Sequence, residues 1–333
     1  MRRKVFPILA LSWVVVVAVL VVGLRLSHYY LNTPLDPDGK SKVVRIPAGM
    51  SLKQISRKLA REGIIDYPGM FFLLARLRGE GRELKYGEYK LSPGQSPQEI
   101  LRVIRTGTPL QYRITFPEGI TMTRIGKLLE SAGLVEAEDF LEEAENPVLS
   151  TSLGIPALNV EGYLFPDTYY FSKGMSAESI IRKMVAQFKT VFNEIKGIGE
   201  RKTRLTDYQT VILASLVEAE TKAAEERALV AGVFVSRLKK KMLLQCDPTV
   251  IYGLKNFSGS ITKRNLAEPH PYNTYIHPGL PPGPIGNPGR AALTAALYPA
   301  QTRYLYFVAK NDGTHHFSKN YAQHQAAVRK YRR

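Results

Sequence analysis

The stretch LTDYQTVILASLVEAET, residues 205–221, predicts a helix that is buried on most of its faces. Thr206 is suited to the N-cap, and Gln209 three residues later completes a capping box. Asp207 adds negative charge to the first turn, where the helix dipole favours it. Residues 210–217 are almost all apolar or small, which is the pattern of a helix surrounded by other parts of the chain and not lying at the surface.

Glu218 follows the apolar run and shares a helix face with Val211, Ala214 and Ser215. A carboxyl group in such surroundings loses hydration, which raises its pKa and suits it to donate a proton near neutral pH. The alternative is that a buried helix simply ends here and that Glu218 and Glu220 point into water. This stretch by itself leaves both interpretations open.

Composition narrows the class of protein. The 333 residues suffice for two domains beyond a membrane segment. The single cysteine, Cys246, excludes an intramolecular disulfide and a cysteine-rich zinc site. The net charge of +17 is spread along the chain and is not interleaved with aromatic residues as in single-strand binders. This charge distribution indicates a protein that acts close to an anionic polymer or a membrane surface, and not one that binds nucleic acid.

The amino terminus predicts a membrane anchor. Residues 5–24 carry no charge, and 20 residues of helix span about 30 Å, the thickness of the hydrocarbon layer. The following residues offer a poor signal-peptidase site, which favours an anchor that is not cleaved. The basic residues in the tail, residues 1–4, place the N-terminus in the cytoplasm and the rest of the chain outside. We therefore expect a single-pass membrane protein with its main part outside the cytoplasm.

A linker is predicted over residues 25–42 and is followed by an internal repeat. The pattern that starts at Val44 (VRIPAGMSLKQI) returns at Ile114 (ITFPEGITMTRI), 70 residues later. Each copy predicts a strand, a Pro-x-Gly turn and a Ser or Thr N-cap that opens an amphipathic helix. The pattern resembles the LysM type of carbohydrate-binding module over residues 43–147. A purely structural role for this α+β module stays open, because any strand-to-helix turn favours these residues.

Two stretches in the second half suit a sugar site. Residues 160–171 (VEGYLFPDTYYF) combine aromatic rings, which stack on sugars, with carboxylates, which bind hydroxyl groups. A core strand with a turn explains the same stretch. Residues 271–289 hold six prolines and four glycines, so this loop is ordered in advance and loses little entropy on holding a ligand.

Several motifs occur in one fixed order, and together they resemble the YceG-like family of MltG-type endolytic murein transglycosylases. They are EGYLFPDTY (161–169), ASLVEAET (214–221), LQCDPTVIYG (244–253), YNTY (272–275), GLPPGPIGNPG (279–289) and FVAKNDGTHHFS (307–318). One departure is Cys246, where the family commonly has serine; both side chains are small, so little change is expected. The resemblance implies an α+β protein with a single N-terminal transmembrane helix, the LysM-like module and a mixed α/β catalytic domain over residues 155–333. It also implies a location in the bacterial plasma membrane, the inner membrane where there are two, with the catalytic part periplasmic.

The resemblance also implies the chemistry. Such enzymes cleave the bond from N-acetylmuramic acid to N-acetylglucosamine within peptidoglycan strands and leave a 1,6-anhydro end, with no cofactor or metal. The family's catalytic glutamate maps onto Glu218. Glu220 competes for this role, but it points to roughly the other side of the helix, and its neighbours predict solvent or an ion pair with Lys222. Residues predicted to bind the glycan are Glu161, Tyr163, Asp247, Thr249, Asn273, Tyr275, Pro281, Asn287 and His315.

Partners and alternatives follow from the same resemblance. The expected partner is the peptidoglycan glycan strand, and the family is thought to limit strand length by cutting nascent glycan, which leaves room for a peptidoglycan synthase. One alternative is a hydrolase that uses Glu218 with Asp247 or Glu161 as a second carboxylate. Another is a non-catalytic glycan-binding scaffold for wall synthases.

Overall fold

The computed structural model describes residues 5–47, 49–80, 84–254, 257 and 259–331, with the backbone alone for residues 5–12. The predicted cytoplasmic tail, residues 1–4, lies outside the described residues. The chain divides into two compact units. Unit 1 contains residues 1–112 and 170–175, and unit 2 contains residues 113–169 and 176–333. Helix and strand are mixed along the chain, as predicted.

Unit 1 opens with the long helix α1, whose segment Trp13–Asn32 is long and apolar enough to cross a membrane. The elements of this unit are α1 (Val5–Asn32), β1 (Lys42–Ile46), α2 (Leu52–Arg61), α3 (Pro68–Leu77), β2 (Gly87–Leu91) and α4 (Pro97–Thr106). β1 pairs antiparallel with β2, with Val44 opposite Tyr89. Ser51 caps α2 through a capping box, after a turn in which Gly49 has a φ of 77° that favours glycine. The predicted strand, turn and capped helix are therefore present.

The expected linker over residues 25–42 differs from the structure. Helix α1 continues to Asn32, and Tyr30 and Leu31 are buried in the core of unit 1, at 8% and 3% exposure. The Tyr30 hydroxyl donates to the Tyr67 carbonyl at 3.1 Å. The sequence pattern predicts that the membrane span ends before the first charge, Arg25. In the structure the helix continues beyond this residue, and its last turn packs into the core of unit 1.

Unit 2 is mostly helical. Its helices are α5 (Met122–Ser131), α6 (Ala137–Ala144), α7 (Pro147–Ser152), α8 (Ala177–Lys196), α9 (Asp207–Glu220), α10 (Arg227–Lys239), α11 (Asp247–Gly253), α12 (Lys263–Leu266), α13 (Arg290–Leu297) and α14 (Tyr321–Tyr331). Its hairpin joins β5 (Tyr306–Ala309) to β6 (His315–Ser318). A further two-stranded sheet joins β3 (Gln111–Thr115) to β4 (Thr168–Ser172), and the boundary between the units falls within both strands.

The helix that the opening stretch predicts is confirmed as α9. Thr206 caps it, and the capping box with Gln209 is present. Every residue from Thr210 to Val217 is buried. α9 packs against α10, α11 and α13, so it is a central element of unit 2.

The stretch between the predicted LysM-like module and the predicted catalytic domain contains a short helix, α7. The Asn146 side chain accepts hydrogen bonds from the backbone N–H groups of Val148 and Leu149, at 2.9 and 3.4 Å. Pro147 occupies the first helical turn, where its missing N–H costs nothing. The cap and the proline start a short helix that hydrophobic periodicity does not reveal.

Candidate active site

Glu218 lies in the last turn of α9, and its side chain is 6% exposed. The Gly289 N–H donates to its Oε2 at 2.9 Å, and Arg227 Nη2 donates to its Oε1 at 3.5 Å. Burial raises the pKa of Glu218, while the hydrogen bond from Gly289 lowers it. The backbone at Gly119 passes so close that a Cβ there would lie 3.4 Å from Glu218 Cγ. Glu218 thus connects α9 to the two loops that contain Gly119 and Gly289.

Glu220 occupies a different environment from the one predicted. Its side chain lines a cavity of about 300 Å³ instead of facing Lys222 and solvent. Burial raises the pKa of Glu220 to about 7. The prediction failed because segments around Gln245 and Phe307, far away in sequence, fold over the last turn of α9 and enclose this side of it.

The cavity is polar and carries charges of both signs. Arg237, Gln245, Asp247, Tyr275, Tyr306 and His315 line it together with Glu220. The Tyr275 hydroxyl donates a short hydrogen bond to Asp247 Oδ1. The negative charge of Asp247 raises the pKa of Glu220, while His315 and Arg237 lower it. This arrangement surrounds one carboxyl group of nearly neutral pKa with hydrogen-bonding groups, as acid catalysis on a polar substrate requires.

His315 is held by a carboxylate that the sequence analysis did not single out. Its Nδ1 lies 2.7 Å from Glu226 Oε2, and its backbone N–H donates to Glu226 Oε1 at 2.9 Å. Both side chains are largely buried, at 9% and 13% exposure. The bond to Glu226 fixes the ring orientation of His315, and the neighbouring His316 is exposed.

Two further residues shape the cavity without having been predicted. Arg237, 7% exposed, donates to the carbonyls of Leu305 and Leu244 at 2.6 and 2.7 Å. Its guanidinium carbon lies 5.0 Å from the centre of the Tyr306 ring. Gln245 adopts a φ of 49°, which a non-glycine residue rarely takes and which clusters at functional sites.

A second buried network lies around Glu161, which is 1% exposed. Its carboxylate accepts hydrogen bonds from the Met122 N–H at 3.0 Å, Asn287 Nδ2 at 2.9 Å and the Tyr252 hydroxyl at 3.2 Å. Burial raises its pKa to about 7. Asn287, which is fully buried, also donates to the Ile120 carbonyl at 2.8 Å. Glu161 and Asn287 therefore fasten the turn before α5 to the proline-rich loop.

The other residues predicted to bind glycan make contacts within the protein itself. Thr249 Oγ1 donates to the Cys246 carbonyl at 2.7 Å, and Asn273 Nδ2 donates to the Leu266 and Glu268 carbonyls at 3.1 and 2.8 Å. Tyr163 packs on Phe188, with ring centres 4.8 Å apart, and Pro281 is buried. The structure therefore brings Asp247, Tyr275 and His315 together at the cavity, whereas contact with a glycan stays a prediction for the buried residues.

The residues that the sequence analysis missed carry weak signals. Arg237 belongs to the run RLKKK, which predicts a solvated basic segment, although its position in the apolar helix α10 indicates burial. Glu226 lies just before α10 and carries no motif of its own. Gln245 lies within the motif LQCDPTVIYG, and nothing in that motif marks it as a cavity residue. Their roles depend on segments that meet only in the folded chain.

Comparisons with known proteins agree with one another. The sequence profile of the YceG-like family matches residues 44–330. The chain is 32% identical to the endolytic murein transglycosylase of Bacillus subtilis, over 90% of this chain and 88% of that protein. It is 29% identical to the protein of the same name in Streptococcus pneumoniae D39, of which it spans 64%. The crystal structure of a YceG-like protein from Listeria monocytogenes superposes with a TM-score of 0.58 at 31% identity, covering 87% of this chain and 99% of that one.

Proposed function

The chain belongs to the YceG-like family, and on that premise we propose that it is a peptidoglycan lytic transglycosylase. This enzyme is a lyase that cuts glycan strands internally, as the names of its relatives state of those proteins. We propose that it cleaves the bond from N-acetylmuramic acid to N-acetylglucosamine and leaves a 1,6-anhydro end. The observation that carries the proposal is the polar cavity around Glu220, a carboxyl group whose pKa burial raises to about 7.

We assign the general acid to Glu220, because it faces the cavity. Glu218, the acid that the motif register predicts, is the alternative assignment. Burial raises the pKa of Glu218 as well, but its two oxygens are bound by the Gly289 N–H and by Arg227, both of which favour the charged form. Replacing Glu218 and Glu220 one at a time separates these two assignments.

The mechanism needs one carboxyl group. Protonated Glu220 gives its proton to the glycosidic oxygen while the bond from that oxygen to C1 of the muramic sugar breaks. The sugar's own C6 hydroxyl then attacks C1 and forms the anhydro ring, and its proton passes to the Glu220 carboxylate. The enzyme ends in its starting protonation state, and water takes no part.

The neighbours of Glu220 suit this substrate. Asp247 and Tyr275, already hydrogen-bonded to each other, offer an acceptor and a hydroxyl to sugar hydroxyl groups. His315, oriented by Glu226, presents its other ring nitrogen for binding. We propose these residues as glycan-binding residues, and we place Glu161, Tyr163, Thr249, Asn273, Pro281 and Asn287 as positioning residues.

We further propose that α1 anchors the enzyme in the plasma membrane, with the N-terminus in the cytoplasm and both units outside. The support is the apolar segment of α1 and the basic residues before it in the sequence. A membrane-held enzyme meets glycan as it is made, which suits a role in ending strand growth beside a peptidoglycan synthase. LysM-like glycan binding by residues 43–147 stays a prediction.

One observation favours a second candidate. Asp247 shares the cavity with Glu220, so the two carboxylates required for a muramidase-type hydrolase are both present. Such an enzyme uses water and releases a reducing muramic end. Its products therefore differ from those of the transglycosylase by the elements of one water molecule at each new end.

The proposed activity is tested with the full-length protein in detergent micelles and purified peptidoglycan. We expect soluble glycan fragments of intermediate length to appear early, because an internal cut divides a strand anywhere along it. Release of disaccharides alone from the first minutes would contradict endolytic cleavage. Absence of cleavage by the wild-type protein would favour the non-catalytic scaffold.

The pH profile follows from the raised pKa of Glu220. The acid must be protonated, and it loses its proton as the pH rises through about 7. We expect kcat/KM to fall by about tenfold per pH unit above that point and to level off below it. Initial rates on glycan strands from pH 5 to pH 9, in buffers of about constant ionic strength, measure this. A profile that stays flat to pH 9, about two units above the pKa, would contradict an acid with these properties.

Replacing Cys246 with serine should shift the alkaline limb of this profile, the pH range in which kcat/KM falls. The Cys246 thiol is buried and makes a hydrogen bond to Glu220 that lowers the pKa of Glu220. A hydroxyl group is a stronger donor than a thiol, so Cys246→Ser should favour the carboxylate further. We expect the alkaline limb of kcat/KM to move to lower pH by about half a unit. A limb that moves to higher pH would show that the thiol does not stabilise the carboxylate.

A further inference from the structure

Helix α3 of unit 1 presents an apolar face to solvent. Met70, Leu73 and Leu77 lie at helical spacing along this face and are 36%, 52% and 74% exposed. The opposite face, with Phe71 and Ala75, is buried in the core of unit 1 at 1% and 0%. Three large apolar side chains in one row on a ten-residue helix are more than scattered surface residues.

The start of this face is continuous with the surface of α1. Tyr67 and Met70 line a groove of about 360 Å³ together with Leu26, Tyr29 and Leu35. Tyr29 and Tyr67 are 69% and 61% exposed. On α1 itself, side chains from Trp13 to Leu24 are also exposed, as a segment in contact with lipid would be.

The depth of the groove can be derived from the helix. The uncharged segment of α1 ends at Leu24, five residues before Tyr29. At a rise of 1.5 Å per residue, the groove lies about 7 Å beyond the hydrocarbon layer. The headgroup region is roughly 5–8 Å thick on each side of a bilayer. The groove therefore lies at the depth of the headgroups.

The chemistry of the face suits that layer. Exposed tyrosines such as Tyr29 and Tyr67 are enriched where a membrane meets water. The exposed Arg76 and Arg78 follow on α3 and at its end, where they can pair with anionic headgroups. A partner protein or a second copy would satisfy the apolar face equally well, but neither accounts for its continuity with a membrane-crossing helix.

We propose that the exposed face of α3 lies in the headgroup region of the membrane that α1 crosses, so that unit 1 rests on the bilayer and is not tethered above it. Helix α3 would then act as an interfacial helix with its apolar side towards the acyl chains. Since Tyr30 and Leu31 of α1 are part of the same core, the span and this face would fix the orientation of unit 1 on the membrane.

The test uses the full-length chain in vesicles of phosphatidylglycerol and phosphatidylethanolamine. Leu73→Cys and Leu77→Cys carry a polarity-sensitive fluorophore, and a spin-labelled lipid with its label near the headgroup quenches it. Leu20→Cys on α1 reports insertion, and Lys90→Cys, exposed on β2, is the polar control in the same unit. The buried Cys246 should resist labelling.

We expect quenching at positions 73 and 77 to be several times that at position 90, with emission shifted to shorter wavelength. Quenching at position 20 alone would overturn the proposal, since the chain would then be inserted with α3 in water. If the emission at position 73 shifts to shorter wavelength without lipid quenching, and this shift grows with the protein-to-lipid ratio, the face binds a second copy of the chain and the proposal is wrong. Absence of quenching at position 20 would overturn the proposal as well, because α1 would not cross the membrane.

Discussion

Replacing Glu220 with glutamine should lower the rate of glycan cleavage by about 10²- to 10⁴-fold, the range expected for loss of a general acid. Glutamine keeps the shape of the side chain and removes the acidic carboxyl proton, so the bond-breaking step loses its proton donor. Initial rates of fragment release, measured under saturating substrate, give the ratio of kcat values. The thermal unfolding midpoint of the variant should stay at or above that of the wild type, since a desolvated carboxyl group is removed.

Glu218→Gln is the matched control on the same helix turn. Its amide oxygen can still accept the hydrogen bond from the Gly289 N–H, while the ion pair with Arg227 is lost. We expect its kcat to fall by less than about tenfold. The reverse result, a large loss in Glu218→Gln and a small one in Glu220→Gln, would return the role of acid to the residue that the motif register predicts.

Replacing Asn287 with leucine should cost about 3–5 kcal/mol of unfolding free energy. The side chain is fully buried and makes three hydrogen bonds, to the Ile120 carbonyl, to Glu161 and from the Leu164 N–H at 2.8 Å. Leucine fills a similar volume but removes all three bonds. The Leu164 N–H then loses its partner in the interior, while Glu161 and the Ile120 carbonyl each keep other hydrogen bonds and lose one. Urea unfolding followed by circular dichroism measures the loss.

Asn311→Ala is the control for that variant, because Asn311 is exposed in the β5–β6 turn. We expect it to change the unfolding free energy by less than about 0.5 kcal/mol. If Asn287→Leu unfolds within about 1 kcal/mol of the wild type, the network around Glu161 does not hold the turn before α5.

Much of the local structure could be predicted from the sequence, because short-range signals determine it. Thr206 and Gln209 identify the start of α9, and Ser51 identifies the start of α2. The positive φ at Gly119 fits the repeated Pro-x-Gly turn. These features depend on neighbours within about four residues along the chain, which a sequence pattern contains.

The side of α9 that carries the site could not be predicted in the same way. Glu218 and Glu220 are two residues apart, and local neighbours made Glu220 the exposed one. In the structure, Glu220 is the residue that faces the cavity, because Phe307 and Gln245 come from distant segments and enclose it. The Glu218 carboxylate instead accepts a hydrogen bond from the loop at Gly289. Long-range packing decides which carboxyl group faces a cavity, and the sequence pattern contains no record of it.

The division of the chain also depends on tertiary contacts. The repeat and the pattern around it predict a module over residues 43–147, whereas the first compact unit contains residues 1–112 and 170–175. The second copy of the repeat therefore belongs to unit 2. A sequence repeat predicts that the same strand, turn and helix recur. It does not predict which hydrophobic core each copy packs into.

Mass spectrometry of the new strand ends shows whether an acid in this cavity cleaves glycan without water. Purified glycan strands are digested with the wild-type protein and with Glu220→Gln under identical conditions. We expect 1,6-anhydro muramic ends from the wild type and almost none from the variant. Reducing muramic ends, heavier by one water molecule, or anhydro ends made equally fast by Glu220→Gln, would contradict it.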